Sequence, residues 1–98
     1  MQTVATIIVN ATITKPEALD AIAAALGCAV QDAGTARPFV PLPHGGRVVV
    51  DIPKFGEAPP LAIDVSDPRG ATESRLAAQA LLDRLTASTG WHIHHLHG

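Results

Sequence analysis

Residues 14–17, Thr-Lys-Pro-Glu, stand where the hydrophobic period of the chain changes from two to about 3.6, and that junction constrains the fold more than any other feature. Upstream, in residues 3–13, the odd positions Ala5, Ile7, Val9, Ala11 and Ile13 form one apolar face. Val4, Thr6, Ile8, Asn10 and Thr12 form a mixed opposite face. Strict alternation with β-branched residues predicts a half-buried strand. Downstream, Leu19, Ile22, Ala23 and Leu26 recur at helical spacing. Between them Thr14 and Glu17 have the form of a capping box, a hydroxyl for the amide three residues on and a carboxylate reaching back. Pro16 falls in the first turn, where its missing N–H costs nothing. Gly27 is suited to close the helix in a left-handed conformation.

The rest of the chain continues in the same alternation of elements. Gly34, Pro38, Pro41, Pro43 and Gly45-Gly46 break up residues 28–45, and a short strand near 36–41 would be confined by its prolines to a sheet edge. A connection this long often serves as a lid, a binding loop or an interface arm. Val48, Val50 and Ile52 alternate with Arg47, Val49 and Asp51 as a second strand. Residues 53–60 hold three prolines and Gly56, a rigid turn wider than a tight hairpin. Leu61, Ile63 and Val65 alternate with Ala62, Asp64 and Ser66 as a third strand. Asp67-Pro68 has the form of a helix start, with Thr72 as the other candidate cap. On that helix Ala77, Ala78, Leu81, Leu82 and Leu85 share a face, and Leu76 and Ala80 lie on the other side. Gly90 ends it, and Trp91–His97 reads as a last short strand or a frayed tail.

The order is strand, helix, strand, strand, helix, strand. Two right-handed crossovers would fold it into a four-stranded antiparallel sheet with both helices on one face. This pattern over residues 1–98, one α+β domain, resembles the ferredoxin-like plait, βαββαβ, and any strand from 36–41 would add to an edge. The resemblance is one of element order, and the fold hosts many unrelated functions.

Composition narrows the function classes. The net charge is −2, and Arg37, Arg47, Arg69, Arg75 and Arg84 are scattered, so no basic stripe for nucleic acid is visible. No run approaches the ~20 apolar residues of a membrane helix, and Met1–Asn10 lacks the basic start of a signal peptide. Cys28 is the single cysteine, which fits a reducing cytoplasm, and its place after the first helix suggests an inert, partly buried thiol. Two phenylalanines, one tryptophan and no tyrosine leave a core of small aliphatic side chains that must pack closely. Alanine-rich helices and arginine in preference to lysine fit a high-GC bacterial or phage genome.

Chemistry has one candidate location. In the plait the face away from the helices would carry His92 and His94 beside Thr6, Ile8 and Asn10, then Ala62 and Asp64, then Arg47, Val49 and Asp51. His-X-His on a strand sets two imidazoles roughly 6–7 Å apart on one face. With a carboxylate such as Asp64 or Asp51 they would suit a zinc, nickel or copper ion. His95 and His97 would point the other way, and His44 would join only if its loop folded over. An Asp64–His94 pair would suit acid–base work. The chain has no P-loop, GxGxxG, HExxH or CxxC motif, no catalytic residue can be assigned, and no cofactor is implied. Ser66, Ser74 and Ser88 lack an activating neighbour in sequence, and Glu57 in its proline-rich turn reads as a solvating charge. The expected function is a small cytoplasmic, non-enzymatic interaction module that self-associates or binds a partner protein. The alternatives are a metal- or small-ligand-binding domain on the His92/His94 strand face, and a small Asp/His enzyme.

Overall fold

The computed structural model describes residues 4–32, 34, 38–51 and 61–95. The 53–60 turn with Glu57, and His97, lie outside them, as do Arg37 and Ile52. The described chain is a mixed α+β structure with two helices and one open antiparallel sheet of five strands. In chain order the elements are β1 (Val4–Asn10), α1 (Lys15–Leu26), β2 (Val40–Pro41), β3 (Arg47–Asp51), β4 (Leu61–Ser66), α2 (Ala71–Thr89) and β5 (His92–His95). A short 3₁₀ turn, Pro43–Gly45, joins β2 to β3.

The sheet order is β2-β3-β4-β1-β5. The sheet thus has five strands, the fifth being an edge strand from the 36–41 stretch that was expected to add one if it paired. The extra strand is an edge strand of two residues, placed by Val40 opposite Val48 and Pro41 opposite Arg47. Pro41 has no N–H to offer a further strand, so the sheet ends there. The 28–45 connection is tied down in two places. Gln31 and Phe39 exchange backbone hydrogen bonds of 2.7 and 3.1 Å, and the Leu42 N–H donates to the Gly46 carbonyl at 2.9 Å.

Both helices pack on one side of this sheet and against each other. Ala5, Ile7 and Val9 of β1, Val48 and Val50 of β3, and Leu61, Ile63 and Val65 of β4 are buried beneath them. Ala18, Leu19, Ile22 and Ala23 of α1 and Ala78, Leu81 and Leu85 of α2 complete the core. Trp91, between α2 and β5, is half-buried against it.

The helix ends follow local chemistry at α1 and depart from expectation at α2. The Thr14 hydroxyl accepts from the Glu17 N–H at 3.3 Å while the Glu17 carboxylate accepts from the Thr14 N–H at 3.0 Å. Gly27 takes φ 70°, its N–H reaching Ala24 and that of Cys28 reaching Ala23, the paired bonds of a Schellman motif. The α2 helix begins at Ala71 behind Gly70, which has no side chain to cap with. Asp67-Pro68-Arg69-Gly70 instead forms a turn, the Gly70 N–H bonding to the Asp67 carbonyl at 3.1 Å. Aspartate first, proline second and glycine fourth is the order such turns favour.

Candidate functional site

The pleat sends every second residue of the strands to the side that the helices leave uncovered. The register aligns these residues in rows. Asp51, Ala62, Ile8 and His94 make one row across β3, β4, β1 and β5. Val49, Asp64 and Thr6 make the next, and Arg47, Ser66 and Val4 the one beyond. Asn10 lies opposite His92 at the other end.

This surface is mixed in character. Val4 and Val49 are 44% and 36% exposed, large apolar groups standing beside charges. The Thr6 hydroxyl donates to the Asp64 carboxylate at 2.7 Å, a cross-strand bond that holds both side chains in the plane of the face. At the β2 edge the Arg47 guanidinium lies 4.7 Å from the centre of the Phe39 ring, a cation–π contact. Phe39 reaches this face because its neighbour Val40 is buried in the core and successive side chains alternate. Sequence reasoning missed it. The available signal was that buried Val40, flanked by Phe39 and Pro41, extends the alternation.

The residues singled out for chemistry are distributed over this surface. His92 and His94 share it on β5, both exposed. Asp64 is on β4, with β1 between it and the histidines, a lateral gap of two strand spacings, about 10 Å. Asp51 is one strand farther away. His95 faces the helix side, where its Nε2 lies 2.6 Å from Oε1 of Gln79 on α2. His44 occupies the 3₁₀ turn at φ 65°, exposed. Among the described residues no three His, Cys, Asp or Glu side chains gather at metal-binding spacing.

A second polar cluster lies at the foot of α2. Asp67 is 2% exposed, and its carboxylate accepts from the Arg69 N–H at 2.9 Å, from Nε at 3.0 Å and from Nη2 at 2.8 Å. These Arg69 bonds, the side-chain ones most of all, hold the Asp67 carboxyl down to about 2 and push the Arg69 guanidinium up. Ser74, fully buried, accepts from the Asp67 N–H and donates to the Gly70 carbonyl, both at 3.0 Å. These hydrogen bonds link the end of β4 to the first turn of α2 and brace the connection between them.

Open grooves border the sheet among the described residues. One of about 600 Å³ lies between α2 and β1, lined by Val4, Leu76, Arg75 and Gln79. Another of about 580 Å³ separates α2 from the β2 region and includes Cys28. Cys28 is exposed, where a partly buried thiol was expected. The Schellman turn carries it out past the last helical residue, leaving Sγ 3.8 Å from the Pro41 carbonyl. The chain matches no protein-family model, no curated protein and no solved structure.

Proposed function

We propose that this chain is a non-enzymatic interaction module that docks another protein surface on the open face of its sheet. We read the fold as a ferredoxin-like plait extended at one edge by β2. The order β3-β4-β1-β5, with both helices on one side, supports that reading. The observation that carries the functional proposal is the composition of the sheet face turned away from both helices, where Ile8 is only 8% exposed. Exposed Val4 and Val49 alternate there with Asp51, Asp64 and Arg47, and the Thr6–Asp64 and Arg47–Phe39 contacts hold polar groups in fixed positions. Apolar groups beside fixed charges are what a specific, modest-affinity protein contact uses. The lone thiol of Cys28 fits a reducing compartment such as the cytoplasm.

Native mass spectrometry of untagged protein purified without chelators tests this reading. A metal-free oligomer that Val49→Glu dissociates supports it. A stoichiometric metal adduct that disappears when His92 and His94 are replaced by serine would replace it with a metal-binding function.

A further inference from the structure

Beyond the face of the sheet, its edge offers a different contact. We infer that a zinc ion joins two copies of this chain edge to edge, held by His92 and His94 of each β5. The sheet order leaves β5 at one edge, with no described strand beyond it. Edges of this kind are commonly guarded by proline, lysine or a covering loop. The opposite edge ends on Pro41, whereas β5 reads His-Ile-His-His and carries neither proline nor lysine. His92 and His94 are exposed on the side away from the helices, and Ile93 between them packs against the core on the other side.

One chain alone supplies half a site. A structural zinc takes four ligands, and among the described residues no third His, Cys, Asp or Glu joins these two at metal-binding spacing. Antiparallel pairing of β5 with its copy supplies the other half. Facing residues of paired strands share one side of the sheet, so the register must set like sides together. Centred on Ile93, the pairing places Ile93 against Ile93 and each His92 against a His94 of the second copy, and the twofold makes that contact twice. The neighbouring registers leave only one facing pair of these histidines, and they set Ile93 against His95 or Trp91. Facing Cβ atoms across the strands are about 5 Å apart, and His92 and His94 are roughly 6–7 Å apart along each strand. The four imidazoles therefore stand at the corners of a small rectangle, each Cβ about 4 Å from its centre. An imidazole and a Zn–N bond of about 2.0–2.1 Å reach from each corner to a point above that centre. Ile93 leaves this side clear. The helices leave room as well. They pack chiefly over the inner strands, and the two copies of β1 would stand three strand spacings, roughly 14 Å, apart, where helices in contact need about 8–10 Å. So short an edge is too small to hold two copies without the ion, and two imidazoles hold zinc too weakly to keep it through purification. Metal and second copy are thus bound together or not at all.

Sedimentation equilibrium on the full untagged chain, with zinc added to a chelator-treated sample, tests this. One ion should bind per two chains, the dimer should form with it, and EDTA should reverse both. Circular dichroism first establishes that His92→Ala and His94→Ala fold. Each variant leaves single imidazoles at opposite corners and is expected to weaken zinc-driven dimerisation about tenfold or more. An equimolar mixture of the two keeps one facing pair in the mixed dimer, and should dimerise more tightly than either variant alone. His44→Ala and Val49→Glu, both on the far side of the sheet from β5, should leave the zinc effect unchanged. Zinc bound at one ion per chain without dimerisation overturns the inference, as does a chain that does not respond to zinc. A mixture no tighter than either variant overturns the register and with it the four-histidine site. Zinc-driven association abolished by Val49→Glu overturns the edge placement in favour of the open face. Association without metal that Val49→Glu dissociates belongs to the open-face reading, so the two readings fail separately.

Discussion

Ser74→Ala should destabilise the protein well beyond what one hydroxyl at a surface contributes. Ser74 has 0% of its surface exposed. Its Oγ accepts the Asp67 N–H and donates to the Gly70 carbonyl, each at 3.0 Å. Alanine fits the space but leaves the buried Asp67 amide without that acceptor, a loss of about 1–3 kcal/mol. The Gly70 carbonyl suffers less, because it keeps the Ser74 N–H at 3.1 Å. The expected loss is about 2 kcal/mol. For a chain of this size each kcal/mol lowers Tm by about 4–8 °C, so the variant should melt roughly 8–16 °C lower. Urea and thermal unfolding followed by circular dichroism measure this, with Ser88→Ala, an exposed serine of the same helix, as the control. The control should stay within about 0.5 kcal/mol of the parent. If Ser74→Ala also stays within that margin, the bracing role assigned to the hydroxyl is wrong.

Three other outcomes follow from the same packing. Gly46→Ala should cost about 1–3 kcal/mol, because a Cβ there would stand 2.7 Å from the Ser66 carbonyl and 3.0 Å from the Leu42 Cβ; denaturant midpoints decide it. Asp67 has a folded-state pKa of about 2, below the roughly 3.9 of an unfolded chain. Its contribution is therefore complete above about pH 4 and is lost as pH falls toward 2. Asp67→Asn should remove that part of the acid sensitivity, and a parallel slope for both proteins from pH 5 to 2 would contradict it. Leu81→Ala should cost about 2–5 kcal/mol, whereas Leu76→Ala, at a side chain 66% exposed on the same helix, should stay within about 0.5 kcal/mol.

Features determined by near neighbours in sequence were the readable ones. The start of α1 needs only Thr14 and Glu17, and its end only Gly27, so both were legible without tertiary information. The two faces of β3 and β4 were equally legible, because a period of two leaves no other arrangement once one face is buried, whereas in β1 Ile8, on the face away from the helices, is only 8% exposed. Asp67-Pro68 was ambiguous because one aspartate serves as a helix cap or as a turn acceptor with the same local chemistry. Arg69 decides it, supplying both its N–H and its guanidinium to the carboxylate. A short edge strand near 36–41 was expected, but the place of Phe39 on the open face follows only from the pairing of Val40 with Val48, which a proline-rich stretch does not fix locally. The gap from His92 and His94 to Asp64 follows from the lateral strand order expected at the outset, which already sets β1 between them.

The central place of β1 bears on how the chain reaches this structure. Its partners are β4, with Thr6 and Asp64 58 positions apart, and β5, where Ile7 meets His95. Neither contact is local, and pairings of this kind slow folding. Until they form, Val-Ala-Thr-Ile-Ile-Val-Asn is a β-branched segment with neither charge nor proline, the composition that stacks readily with copies of itself. Refolding yield should therefore fall as protein concentration rises, and a lysine at exposed Asn10 would act as a gatekeeper during that interval while adding nothing to the core.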